Sequence, residues 1–390
     1  MPTAGAAAPV ERAVGDVIDA IPLPVPGEIK ALILGLALVA LLLAAHSLLA
    51  SRRTRRLKRQ RTALLEDVGL LQEALLPVVP ERLGSLRASV AYRPASGPAA
   101  GGDFYDAFGL SGGRVGIIVG DVCGHGREAL RRTTLVHYAL RAYLEAGLEP
   151  RAALCTAGRA FDRGDSEITT VIVAIHDPDQ GTLTYAAAGH PPPVLLGAPA
   201  HEPVTAASSP ALGVGVPTGR RQTTVSLPAG TLACFFTDGL MEARVGDKRL
   251  GLDGLAAVVA TLDPEDGAAA LLDEVTARAG HVADDMAACI VRAEGAGGAP
   301  RVRLEQLQVD AAGAQRPALA TFLAQCGLDE PDRDAALRRV RATTREFGGA
   351  LICVHAGDGP ARVDVAPSPR DPLAAPAVPA PPAPASAPSA

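Results

Sequence analysis

Residues 31–50 read ALILGLALVALLLAAHSLLA, with no formal charge apart from what His46 can carry. As a helix these twenty residues span about 30 Å, the thickness of a bilayer's hydrocarbon core. Arg52, Arg53, Arg55, Arg56, Lys58, Arg59 and Arg61 follow directly. A buried core helix is rarely apolar on all faces over such a length. A cleaved signal peptide wants basic residues before the block, yet Glu11, Asp16, Asp19 and Glu28 stand there against only Arg12 and Lys30. A single transmembrane helix fits both length and flanks. The positive-inside rule then puts residues 1–30 outside and everything after Ser51 in the cytoplasm, at the cell membrane.

With 37 basic and 42 acidic residues the net charge is −5. Setting the seven-residue run aside leaves 30 basic against 42 acidic residues, so the rest of the chain is distinctly acidic. That balance excludes an overall electrostatic match to nucleic acid. The run itself reads as a topology signal and a contact for anionic lipid. Aromatics are 3% and tryptophan is absent, so stacking platforms for bases are not expected either. Cys123, Cys155, Cys234, Cys289, Cys326 and Cys353 are scattered without a CxxC pair, as suits a reducing compartment.

At 390 residues the chain has room for two or three domains of about 150 residues each. The organisation expected is an external N-terminus (1–30), the membrane helix (31–50), a basic run and linker helix (51–80), a main domain (81–294), a small α/β segment (301–365) and a tail (366–390). Apolar positions at Leu64, Leu65, Val68, Leu71, Leu75 and Leu76 have helical spacing, ended by Pro77. They would suit a short dimer seam, hence a homodimer. The tail is nearly all Ala, Pro and Ser, which cannot bury enough apolar surface to offset its ordering entropy.

Within 81–294, LRASVAYRP alternates as a strand, and DFYDAFGL pairs with RVGIIVGDV across the turn at Ser111–Gly113. Residues 126–147 and 151–163 have helical periodicity. ITTVIVAIHD and TLTYAAAG flank the PDQG turn; PVLLG, RQTTVSL, TLACFFTDG and MAACIVRAE read as further strands, with helices near 252–260 and 266–279. Strand runs and helix runs are segregated, which predicts an α+β fold with antiparallel sheets.

The chemistry lies in aspartates at strand ends: Asp103 in GGDFYD, Asp121 in GDVCGHG, Asp238 in FFTDGL, and Asp284 with Asp285 in VADDMA. Singly, each is ordinary turn chemistry. Together they would repel unless a cation lies between them or they take up protons: two carboxylates about 4 Å apart repel by about 4 kcal/mol at an effective dielectric of 20. An all-oxygen ligand set suits Mg²⁺ or Mn²⁺.

The order GGDFYD, GDVCGHG, AGHPPP, ALGVG, TDGLMEAR, DDM resembles the SpoIIE-type bacterial branch of the metal-dependent PPM protein phosphatases. The resemblance implies an α-β-β-α sandwich, two antiparallel sheets flanked by helices, with two Mn²⁺ or Mg²⁺ ions at one end. It implies that Asp103 and Asp121 hold the first ion together with the Val122 carbonyl. Asp121 would bridge to a second ion, completed by Asp238 and one of Asp284 and Asp285, with Asp284 preferred. The reaction implied is hydrolysis of phosphoserine or phosphothreonine by a water activated between the two cations. The substrate implied is a phosphorylated anti-anti-sigma (STAS) protein in a partner-switching pathway. Cys123 as nucleophile is the less simple mechanism. His125 stands four positions after Asp121, whereas eukaryotic family members place a candidate proton donor two after it, and His190 reads as shaping a turn. Residues 301–365 faintly resemble the opening of an anti-sigma-factor kinase domain, but Arg333–Gly348 lacks the Asn that would hold metal–ATP. The rival reading is a non-catalytic membrane scaffold with a vestigial metal centre.

Overall fold

The computed structural model describes residues 26–95, 101–124, 126–161, 168–197, 203–263, 265–280, 282, 284–294, 303–357 and 359–368. Residues 1–25, His125, the linker at 295–300 and the tail from 369 onward lie outside the described residues. The chain divides into two units, Met1–Leu65 and Glu66–Ala390.

One helix, α1, runs unbroken over Gly27–Leu75 and takes in both the apolar block and the helical spacing after the Arg run. No Pro or Gly interrupts residues 36–68, and the Arg run consists of good helix formers, so nothing stops the helix until Pro77. Its segment Gly35–Arg56 is long and apolar enough to cross a membrane, with a mean hydropathy of 1.7.

The second unit follows as β1 (Arg82–Leu83), β2 (Leu86–Arg93), β3 (Phe104–Gly109), β4 (Val115–Val122), α2 (Arg127–Glu145), α3 (Pro150–Phe161), β5 (Thr169–Asp177), β6 (Thr182–Ala188), β7 (Val194–Leu196), β8 (Arg221–Ser226) and β9 (Leu232–Phe236). Then come α4 (Asp238–Glu242), β10 (Arg244–Val245), β11 (Lys248–Arg249), α5 (Gly251–Val259), α6 (Ala268–Ala279) and β12 (Met286–Ala293). The chain continues through β13 (Arg303–Asp310), α7 (Pro317–Gln325), α8 (Glu330–Phe347), β14 (Gly349–Ala356) and β15 (Arg362–Pro367).

The described strands form two large antiparallel sheets, ordered β1-β2-β12-β9-β7 and β15-β14-β13-β8-β6-β5-β4-β3, beside the small β10-β11 hairpin. Period-two alternation sorts each strand between two cores. Leu86, Ala88, Phe235 and Cys289 meet Tyr105, Ile117, Val119 and Ile172 between the sheets. Phe104, Ile118, Val171 and Val173 turn the other way, against Val136 and Leu140 of α2 and Leu154 of α3. Phe236 and Ile290 likewise face Leu255 of α5 and Leu271 of α6. The α-β-β-α layering is the one the family resemblance implies.

Two features of the C-terminal segment were not legible beforehand. β13 pairs with β8, Leu307 opposite Arg221, so the segment extends the larger sheet. β15 adds a strand that reaches Pro367, because Val363 and Val365 alternate onto the local core of Phe322, Val340 and Ile352. At the junction Glu305 is fully buried; its carboxylate accepts from Thr223 at 2.7 Å, Arg221 at 3.2 Å and Arg303 at 3.3 Å.

Candidate metal centre

The same alternation builds the site. Asp121 continues the inward series Ile117, Val119; Asp103 precedes inward Tyr105; Asp285 precedes inward Ala287 and Cys289. Register sets their height: Phe104 lies opposite Gly120, Asp121 opposite Thr170, and Ala288 opposite Phe236. Asp103, Asp121, Asp285 and the start of α4 at Asp238 therefore share one end of the sandwich. Asp106, the other acid of GGDFYD, has opposite parity and binds His137 at 2.8 Å and Arg141 at 2.9 Å under α2.

Asp103 is 2% exposed and accepts from the Thr237 hydroxyl at 2.7 Å, while Thr237 Oγ accepts from the Ala287 amide at 2.9 Å. Burial first, then the Asp121 charge, push the Asp103 carboxyl well above the usual range. Asp121 is raised to about 7 by burial and by the charges of Asp238, Asp284 and Asp285. Asp238 is raised by burial and Asp284. These carboxylates thus lie within electrostatic reach of one another, the situation a cation relieves.

Glycines let the backbone close in. A Cβ at Gly102 would overlap the Val122 carbonyl oxygen and Asp121 Oδ1, and one at Gly239 would overlap the Asp285 carbonyl oxygen. The Gly102 carbonyl accepts from the Val122 amide at 3.2 Å and from the Thr133 hydroxyl at 3.2 Å. Among the described residues no three His, Cys, Asp or Glu side chains form a ready metal cage. The donor chemistry, carboxylates plus a peptide carbonyl, nevertheless fits hard divalent ions.

The structure separates the members of the DD pair. Asp285 is buried, its oxygens accepting from Tyr92 OH at 2.8 Å and the Ala95 amide at 2.7 Å. Asp284 is exposed and accepts from the Asp285 amide at 2.9 Å. Cys123 is exposed; partial burial of its thiol and the Asp121 charge raise its pKa. His190 is buried; its Nε2 donates to the Phe236 carbonyl at 2.9 Å, leaving Nδ1 to accept from Thr170 at 3.1 Å. Burial lowers it to about 4, so it is a neutral strut behind the site. Thr237 and Tyr92 were missed by sequence reasoning. Thr237 stood inside FFTDGL and Tyr92 inside LRASVAYRP, where inward parity alone marks each.

A double antiparallel sheet with acids gathered at one end is the arrangement that the resemblance to the PPM phosphatases implies. The family model described as Stage II sporulation protein E (SpoIIE) matches residues 111–294, and over that stretch the chain is similar to a SpoIIE-type PPM domain. The SiaA-PP2C domain of Pseudomonas aeruginosa superposes with a TM-score of 0.51 at 22% identity, over 60% of this chain and 98% of that one. Protein IcfG of Synechocystis sp. is 24% identical over 209 residues, 46% of this chain and 33% of that protein. Phosphoserine phosphatase RsbP of Bacillus subtilis is 26% identical over 147 residues, 36% of each. The chain spans about a third of the length of these two curated relatives.

Proposed function

We propose that this chain is a membrane-anchored, Mn²⁺- or Mg²⁺-dependent protein phosphatase acting on phosphoserine or phosphothreonine. The observation that carries the reading is the mutual electrostatic reach of Asp103, Asp121, Asp238, Asp284 and Asp285 at one end of the sandwich. Asp103, Asp121, Asp238, Asp284 and the Val122 carbonyl would hold two ions. When bound, such ions supply Lewis acidity toward a phosphoryl oxygen and lower the pKa of water. Thr237 donates to Asp103 Oδ2 and so fixes the rotation of that carboxylate. Gly102 and Gly239 leave space for backbone beside the reacting group, and the Cys123 thiol takes no part. A phosphorylated STAS protein in partner switching is the substrate class that the family resemblance supports. The Gly35–Arg56 segment of α1 supports the membrane location.

The test is hydrolysis of an aryl phosphate by the full chain in detergent with Mn²⁺. Asp121→Asn and Asp238→Asn should each lower kcat/KM by about 100-fold or more, as when a group stabilising transition-state charge is lost. Activity indifferent to both substitutions would refute the acidic centre. Absence of activity on aryl phosphate and phosphoprotein alike would favour the scaffold reading.

A further inference from the structure

Tyr92 follows Leu86, Ala88 and Val90 on the inward face of β2, its ring packed against the core between the sheets. It lies opposite Ala287, two residues beyond Asp285. From there its hydroxyl donates to Asp285 Oδ2 at 2.8 Å, while the Ala95 amide donates to Oδ1 at 2.7 Å. Each oxygen of this carboxylate is therefore held by a different donor, which fixes its rotation. Gly101 lies against the same carboxylate, where a Cβ would overlap Oδ2, and Gly239 lies against the Asp285 peptide oxygen. Asp285 thus touches both the segment that carries Asp103 and the one that carries Asp238.

Resting on the metal-centre reading above, we propose that Tyr92 is a positioning residue. Its hydroxyl clamps Asp285 as the spacer that sets Gly101–Asp103 against Asp238–Gly239, leaving exposed Asp284 as the member of the pair with oxygen free to face a cation. Groups that orient a metal ligand from behind commonly govern affinity as strongly as some ligands do.

Mn²⁺ binding to the full chain in detergent, measured by titration calorimetry, tests this. Tyr92→Phe keeps the ring and should weaken Mn²⁺ binding by about 10- to 100-fold. The Mn²⁺ concentration for half-maximal aryl phosphate hydrolysis should rise by the same factor. Gly101→Ala displaces the same carboxylate while keeping the Tyr92 side chain and should weaken binding similarly, which keeps the test open if Tyr92→Phe unfolds. Because both substitutions act through one carboxylate, Tyr92→Phe combined with Asp285→Asn should bind within about twofold of Asp285→Asn alone. Wild-type affinity in Tyr92→Phe or in Gly101→Ala would overturn the clamp, as would fully additive losses in the double variant. A wild-type chain that binds no Mn²⁺ would overturn the metal reading and the clamp together; the other outcomes leave the metal reading standing.

Discussion

Thr237 and His176 show how single buried groups set the behaviour of this fold. The Thr237 hydroxyl, tied to the Ala287 amide, donates to an almost fully buried Asp103. Thr237→Val keeps the shape and removes the donor, so urea denaturation should show a loss of about 1–3 kcal/mol, while Thr237→Ser should lose much less. His176 is 2% exposed, with no hydrogen-bond partner for its Nδ1 among the described residues, and burial lowers its pKa to about 4. The folded chain therefore resists protonation that the unfolded chain accepts near 6.5, and stability is lost as pH falls from about 6.5 toward 4. His176→Leu lacks that titration. The melting temperature of wild type minus that of His176→Leu should become more negative between pH 7 and pH 4.5; a difference independent of pH would refute neutral burial. The acids were legible in sequence because each stood beside glycine or another acid at a strand end. Tyr92 and Thr237 were not, since their roles depend on what lies across the sheet.

Elements repeat that contrast. The β3–β4 and β5–β6 hairpins were readable because turn residues and alternation are local. The attachment of β13 to β8 was not, because alternation identifies a strand and the face it buries without naming its neighbour. α1 runs through the Arg run for want of any breaker there. The β8–β13 seam depends on Glu305, whose removal would take from Arg221, 12% exposed at its side chain beside Phe322, its carboxylate partner and leave it the Val204 carbonyl and the Thr223 hydroxyl. Glu305→Ala should cost about 3–5 kcal/mol by chemical denaturation, the scale for breaking one side of a buried ion pair. Arg303→Ala, at the more exposed end, should cost less.

At the scale of the whole molecule, the Gly35–Arg56 segment should keep the full chain in the membrane fraction through high-salt and alkaline-carbonate washes. Release by salt alone would reduce the anchor to a surface contact of the Arg run. Residues 66–390 form one unit in which the C-terminal strands continue the sheet that carries Asp121. Calorimetry of the full chain in detergent should therefore show one transition for this unit, and resolved melting of the C-terminal segment would contradict it.

The β8–β13 register also limits how such a chain can be recombined. A foreign domain grafted after residue 294 would leave the β8 edge bare, with Thr223 and Arg221 robbed of their acceptor, unless it began with a strand of matching length and an acid in the place of Glu305. Inheritance of the two parts is thus tied by a hydrogen-bonded seam, and drift in one must be answered by drift in the other.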